Sequence, residues 1–316
     1  MISIHHSIST LIYTNRHQMS DKELFKQNAK KAGNNFVKRK TISKESISFS
    51  QYAKLRTLFE KQNWEIDEEL EISTFERYVK TLSKLSVEQQ DFILKLSSRF
   101  LHIEQNKYLE ELLGPLKALR SNYPDSSLIF LPCLPKEDQG KTKSSTAVLY
   151  QLKGTTIKKR IQLGKHYVCE SISPDVFKRL ENQDFLIILV DDFVGTGETA
   201  LGAVDYVREL CPFMESNKQI KVLCIVAMQE GISKMAANGV DLFCGHIEAK
   251  GISDYYTGDE LDQAKEQMES IEKEMKTKSD FHFGYGESEA LVCMERCPNN
   301  TFPIYWATKN LAPYER

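Results

Sequence analysis

The stretch Phe185-Leu186-Ile187-Ile188-Leu189-Val190-Asp191-Asp192-Phe193-Val194-Gly195-Thr196-Gly197-Glu198-Thr199 decides the fold. Phe185 to Val190 is an unbroken apolar run, which reads as a strand buried on both faces and hence as part of a parallel sheet covered by helices. Gly195 and Gly197 let the chain turn through positive φ just before a helix that opens near Thr199. Ala200, Val204, Val207 and Cys211 share one face of that helix, and Pro212 ends it. The first N–H groups of a helix lack intrahelical partners and carry the positive end of its dipole, so an anion belongs at this junction. The hydroxyls of Thr196 and Thr199 add donors. Gly195, Thr196, Gly197, Glu198 and Thr199 therefore form the expected phosphate-binding loop, which can hold a monoester phosphate without a lysine.

Asp191 and Asp192 stand at the carboxyl end of the strand, where ligands bind in open α/β sheets. Their carboxylates can accept hydrogen bonds from the vicinal hydroxyls of a ribose, and they offer the hard oxygen ligands that Mg²⁺ prefers. The loop thus suits a sugar 5′-phosphate. Two rival motifs fit less well. Gly195 to Ala200 satisfies G-x-G-x-x-A, but two aspartates intervene between strand and glycine and would repel a dinucleotide pyrophosphate. A nucleotide P-loop needs Gly-Lys-Ser/Thr, and this loop has Gly197-Glu198-Thr199.

Outward from the loop, strands alternate with helices. Leu128 to Leu131 reads as a strand, and Ser144 to Lys153 as a helix ended by Gly154. A helix with Ser173 as N-cap and Pro174 at its first position leads into Phe185. Val222 to Ala227 is a strand, and a helix ending near Gly239 precedes another at Val240 to Cys244. The series predicts an α/β fold, a mostly parallel sheet flanked by helices, over residues 123–316. Two features depart from it. Leu261, Ala264, Met268, Ile271 and Met275 make an apolar stripe on a charged helix, read as a surface helix on the sheet or, more sharply, as a lid or partner-binding helix. Leu291 to Met294 and Phe302 to Trp306, around Pro298-Asn299-Asn300, read as a terminal hairpin.

Residues 47–122 are expected to form a helical module, with no glycine before Gly114 and a capping box at Ser86 and Gln89 ahead of Phe92, Leu96 and Ile103. Pro115 and Pro124 close that region. Residues 1–46 are polar and basic, with Lys30, Lys31, Lys38, Arg39 and Lys40, and read as a mobile arm. Ser20 after Met19 is an N-cap candidate, which makes Met19 an alternative start.

Composition sets the outer bounds. The 316 residues are 41% hydrophobic and 27% charged with a formal net charge of −2, so no global basic field points to nucleic acid or membrane. Seven cysteines without paired spacing suit a reducing compartment. Cys293 and Cys297, with His282 upstream, read as core filler rather than metal ligands. No run approaches the roughly 20 apolar residues of a membrane span, and no secretory leader is evident, so a cytoplasmic protein is expected.

Leu189 to Thr199 as a whole resembles the ribose-phosphate loop of type I phosphoribosyltransferases: apolar strand, acidic pair, two variable residues, and a Thr-Gly-x-Thr close. The resemblance implies that Asp191 and Asp192 hold the ribose hydroxyls and Mg²⁺, that residues 195–199 hold the 5′-phosphate, and that the ligand is phosphoribosyl pyrophosphate. The family's pyrophosphate loop follows its first strand, here Pro132 to Lys143, which implies catalytic roles for Lys136 and Lys141 and a pyrophosphate contact for Lys143. Its mobile catalytic loop would fall after Gly154, where Lys158, Lys159, Arg160 and Lys165 occur. With its helical module and Pro298-Asn299-Asn300-Thr301, the chain resembles the phosphoribosyltransferase-like proteins of bacterial conflict and antiphage systems, some of them beside retrons. That implies a protein, RNA or DNA partner in a defence complex. The expected activity is Mg²⁺-dependent transfer of the ribosyl group to an acceptor; the alternative is a non-catalytic ribose-phosphate-binding sensor or effector. Tyr255, Tyr256 and Trp306 are candidates to cap a base.

Overall fold

The computed structural model describes residues 47–68, 70, 73–173, 185–212, 219–307 and 312–314. The expectations for residues 1–46, including the helix opening at Ser20, and for the helix from Pro174 lie outside the described residues.

Three helices open the described chain: α1 (Phe49–Gln62), α2 (Thr74–Leu82) and α3 (Val87–Ser97). Each is capped by a serine whose hydroxyl accepts a first-turn N–H: Ser48 from Gln51, Ser73 from Glu76 and Ser86 from Gln89. At α3 the capping box is complete, because the Gln89 side chain accepts from the Ser86 N–H at 2.9 Å. A two-residue strand, β1 (Leu101–His102), then leads to α4 (Tyr108–Asn122). Pro115, expected to close the helical region, lies inside α4. Proline has no N–H to give the Glu111 carbonyl one turn back. That carbonyl instead faces Gly245, where an added Cβ would come within 3.0 Å of it.

The sheet consists of β2 (Ser127–Pro132), β3 (His166–Val168), β4 (Phe185–Val194), β5 (Ile220–Met228) and β6 (Asp241–Glu248). All neighbours are parallel, in the order β3-β2-β4-β5-β6. The connections carry α5 (Ser144–Lys153), α6 (Thr155–Arg160), α7 (Glu198–Leu210) and α8 (Gln229–Ala237). The chain runs outward from β2 to β3 and then returns to β4 on the other side of β2. The crevice between the carboxyl ends of β2 and β4 is therefore the topological switch point, the place where such sheets bind ligands.

Strand alternation divides the core. Leu128, Phe130, Leu186, Ile188, Leu223 and Ile225 face α4, α5 and α6, and Ile129, Leu131, Ile187, Leu189 and Val222 face α7 and α8. Each such side chain, fully buried, contributes about 1.5–3 kcal/mol. β4 runs four residues past the apolar stretch, so the acidic pair belongs to the strand rather than to the loop after it. β2 ends at Pro132 opposite Val190, whereas β5 continues alongside, pairing Asp191 with Cys224 and Val194 with Ala227. One edge of residues 191–194 stays paired while the other opens onto the crevice.

Two later elements differ from expectation. The striped helix, α9 (Asp259–Glu274), packs Ala264, Met268 and Ile271 not on the sheet but into a cluster with Leu55, Phe75, Phe92 and Leu96 of α1 to α3. The terminal hairpin does not form. β7 (Val292–Cys293) pairs in parallel with β1, and Pro303–Tyr305 is a 3₁₀ turn. Pro303 lacks the N–H that a strand ladder needs. Phe302 and Tyr305 are instead buried among the helices.

Candidate functional site

A cavity of about 670 Å³ opens at the switch point. Its walls come from the turn after β2 through Ser145, from the end of β4 with the 195–199 loop, and from Tyr285 with residues 295–300. Tyr108, at the first position of α4, reaches in from below the acidic pair.

The acidic pair is held by specific donors. Ser144 Oγ donates to Asp191 Oδ1 at 3.1 Å, and the Asp192 N–H donates to the same oxygen at 2.9 Å. The Tyr108 hydroxyl donates to Asp192 Oδ2 at 3.1 Å and accepts the Glu295 N–H at 3.1 Å. Burial pushes the Asp191 carboxyl well above the usual carboxylate range, and the neighbouring Asp192 pushes it further. Burial, then Asp192, likewise raises the Tyr108 phenol, so it remains a donor at neutral pH. Cys133 also borders the cavity, but its buried thiol is pushed far above the range in which a thiolate nucleophile forms.

Two adjacent carboxylates short of positive charge suit a hard cation. Among the described residues no group of three or more His, Cys, Asp and Glu could hold a metal ion. The donors present fit Mg²⁺, which is commonly held by one or two carboxylates with ligand and water oxygens completing its shell.

The glycine loop, residues 195–199, is packed tightly from two sides. Gly197 is the N-cap of α7 with φ +83°, a conformation side chains rarely adopt. A Cβ on Gly195 would lie 2.4 Å from the Asn300 carboxamide, and one on Gly231 would lie 2.4 Å from the Gly195 carbonyl oxygen. Thr196 is buried with its methyl against Gly286, whereas Thr199 is exposed at the helix start. Acids outnumber bases around the cavity: Asp138, Asp191, Asp192, Glu198 and Glu295 against Lys143 and Arg296.

A family model described as PRTase-CE matches residues 86–315, well over half of the chain. The chain belongs to the PRTase-CE family. No curated protein sequence matches it. Among solved structures, the PRTase-CE chain is similar to an APRTase from Giardia lamblia complexed with 9-deazaadenine, at 15% identity and a TM-score of 0.27, covering 43% of this chain and 79% of that one. The AQ2163 protein from Aquifex aeolicus matches at 12% identity and a TM-score of 0.30, covering 63% and 96%. A hypoxanthine-guanine-xanthine phosphoribosyltransferase matches at 14% identity and a TM-score of 0.27, covering 46% and 76%.

Within the PRTase-CE chain, Asp191, Asp192, Gly195, Thr196, Gly197, Glu198 and Thr199 all line the one cavity. Of Lys136, Lys141 and Lys143, only Lys143 borders the cavity, and it stands 3.1 Å from Asp138. Lys136 pairs with Glu209 at 2.7 Å on the α7 side, and Lys141 pairs with Asp138 at 2.7 Å. Lys159 and Arg160 lie on α6 away from the cavity, with Arg160 paired to Glu110, and the side chain of Lys158 is outside the described residues. Tyr255, Tyr256 and Trp306 do not border the cavity. Tyr255 stacks on Arg99, 3.6 Å from guanidinium to ring centroid, and Trp306 donates to the Thr301 carbonyl at 2.7 Å. The aromatic residues that do border it are Tyr108, Phe193 and Tyr285. Tyr108 and Tyr285 come from distant parts of the chain and carry no local motif, so only the assembled fold reveals them.

Among the described residues no helix is long and apolar enough to cross a membrane.

Proposed function

We propose that the protein binds phosphoribosyl pyrophosphate, or a related ribosyl phosphate, and transfers its ribosyl group to an acceptor. The observation that carries this reading is the meeting, in one cavity at the switch point, of a fixed acidic pair with a glycine loop at a helix start. Residues 195–199 hold the 5′-phosphate through N–H groups and the Thr196 and Thr199 hydroxyls. Asp191 and Asp192 accept from the ribose hydroxyls, with Ser144 and Tyr108 fixing their orientation. The bond from C1 of the ribose to pyrophosphate breaks, its electron pair leaving with the pyrophosphate. A nucleophilic atom of the acceptor bonds to C1 and gives its proton to solvent or to the departing anion. C1 passes through an oxocarbenium-like state, so positioning and electrostatics govern the rate. Mg²⁺ held at Asp191 and Asp192 would supply the positive charge that the acidic cavity lacks.

A second reading is favoured by the loop after β2. Lys136, Lys141 and Lys143 are all engaged by carboxylates, which leaves little side-chain charge for pyrophosphate and suits a non-catalytic ribose-phosphate sensor. In either form, the resemblance to conflict-system proteins supports a role as an effector or subunit in an antiphage complex. Calorimetry with phosphoribosyl pyrophosphate and Mg²⁺ tests the common core: absence of binding at millimolar ligand would sink both readings. Pyrophosphate release over a panel of bases, nucleotides and RNA separates them, since turnover with any acceptor excludes a pure sensor.

A further inference from the structure

Glu198 presents a difficulty for an anion site. It is the first residue of α7, it lies inside the phosphate loop, and its exposed side chain borders the cavity. A carboxylate at a helix start is attracted by the same N–H groups and the same dipole end that would hold a phosphate. Left free, it is both a competitor for the nest and a repulsive charge beside its ligand.

The structure holds this carboxylate at both oxygens. The Tyr285 hydroxyl donates to Glu198 Oε2 at 3.0 Å, and Lys234 Nζ, on α8, lies 3.6 Å from Oε1. Tyr285 is in turn positioned with unusual firmness. Its N–H donates to the Asn299 carbonyl at 2.8 Å, and its own carbonyl accepts from Asn300 Nδ2 at 3.3 Å. Asn300 also donates to Ser288 Oγ at 2.8 Å and lies flat against Gly195. Residues on both sides of the tyrosine have positive φ: Phe283 at 53°, Gly284 at 79°, Gly286 at 64°, Glu287 at 52° and Glu289 at 49°. The two glycines touch the site directly, since a Cβ on Gly284 would meet the Asn300 carbonyl at 2.0 Å and one on Gly286 the Thr196 methyl at 2.8 Å. Non-glycine residues are strained in this region and persist there only where surrounding contacts impose them. Here the impositions include the Glu272 carboxylate, which accepts the Phe283 N–H at 3.0 Å, and the Glu289 carboxylate, which accepts the Ile252 and Ser253 N–H groups. The strained strap sets one side chain, Tyr285, against the single carboxylate of the phosphate loop.

We infer that Tyr285 is a positioning residue that holds the Glu198 carboxylate out of the phosphate nest, so that the nest stays open to an external phosphate. The inference rests on the phosphate-loop reading of residues 195–199. It makes Glu198 an internal anion that competes with ligand whenever the tyrosine contact is lost. Tyr285 itself need not touch the ligand.

The test is a double-mutant cycle on the full chain, titrated calorimetrically with ribose 5-phosphate in low salt and again in 0.5 M salt. Tyr285→Phe keeps the ring and removes only the exposed hydroxyl, and its thermal unfolding is compared with the parent. At low salt its Kd should rise about tenfold, the scale set by one carboxylate about 5 Å from a dianionic phosphate in water, and the rise should shrink at high salt. Glu198→Gln alone should lower Kd, because it removes the competing carboxylate while the backbone N–H of residue 198 stays in the loop. Adding Glu198→Gln to Tyr285→Phe should restore binding to the level of Glu198→Gln alone. An unchanged Kd in Tyr285→Phe, or a weakened Kd that Glu198→Gln fails to rescue, overturns the inference while leaving the site intact. No binding by the parent protein overturns the phosphate-loop reading itself, and the inference with it.

Discussion

Replacing Tyr108 with Phe removes one oxygen from the middle of a buried relay. The ring of Tyr108 is 1% exposed, so its removal from water is unchanged and no cavity of side-chain size forms. What is lost is the donor to Asp192 Oδ2 and the acceptor for the Glu295 N–H, each at 3.1 Å. A hydrogen bond to a charged group contributes about 1.5–3 kcal/mol, and a partly buried N–H left without a partner costs about 1 kcal/mol more. The expected loss of stability is about 2.5–4 kcal/mol, or roughly 4–6 °C in melting temperature for a protein of this size. Urea unfolding with linear extrapolation measures it, and the slope should not change. Tyr256→Phe is the control, because that hydroxyl is buried without a hydrogen-bond partner, and its removal should cost under about 0.5 kcal/mol or stabilise. Ribose 5-phosphate affinity should also fall about tenfold in Tyr108→Phe, since Asp192 loses its side-chain donor. If the two variants lose the same stability, the relay does not hold the acidic pair and the reasoning is wrong.

Asp191→Asn removes one of two crowded carboxylates, so in EDTA at neutral pH the variant should be about 1 kcal/mol more stable than the parent while losing ribosyl phosphate binding; equal or lower stability by denaturant titration would contradict the charge argument. Thr199→Asp puts a carboxylate at an exposed helix start, where it is intrinsically favourable, so folding should survive and ligand binding should not. A folded Thr199→Asp protein with parental affinity for phosphoribosyl pyrophosphate would mean that the nest is elsewhere. Glu272 is buried, and desolvation first, with Glu269 adding, raises its carboxyl to about 7. Because that folded value lies above the ordinary 4.5, its contribution to stability is present below about pH 4.5 and is lost as pH rises through about 7. Glu272→Gln should therefore match the parent near pH 4.5 and exceed it at pH 8, by at most about 3 kcal/mol; a pH-independent difference in unfolding free energy would refute this.

The sheet was legible in the sequence because its strands are continuous apolar runs between glycines and prolines, and the acidic pair and glycine loop fall at the end of the most apolar of them. The length of β4 was not legible. Nothing within Phe185 to Val194 reports that β5 outlasts β2, and this pairing difference alone makes Asp191 and Asp192 strand residues. The role assigned to Pro115 failed for a related reason: a proline inside a helix is tolerated when the freed carbonyl meets a glycine, and Gly245 lies far along the chain. Phe302 to Trp306 has strand-like composition, but its partners are aromatic residues of the first helices. The lysines of residues 136–143 look available in one dimension, whereas folding brings Glu209 beside Lys136 and Asp138 between Lys141 and Lys143. Tyr108 and Tyr285 could not be read at all, since their partners Asp192 and Glu198 are distant in sequence.

The packing of the first helices against the last described segments has a consequence for how the chain is made. Leu55, Phe75 and Tyr78 share a cluster with Phe302, Tyr305 and Tyr314, and Ser97 and Tyr305 meet hydroxyl to hydroxyl at 3.0 Å. At translation speeds of about 5–20 residues per second, α1 to α3 emerge on the order of ten seconds or more before those partners exist. Throughout that interval three capped helices carry an aromatic face that still lacks Phe302, Tyr305 and Tyr314, while the parallel sheet, whose non-local pairings are slow to form, is still incomplete. A nascent chain stalled before Phe302 would thus expose part of an aromatic cluster that the finished fold buries. Exposed apolar surface of this kind is what makes incomplete chains prone to aggregate, and here it is fully covered only once Phe302, Tyr305 and Tyr314 arrive.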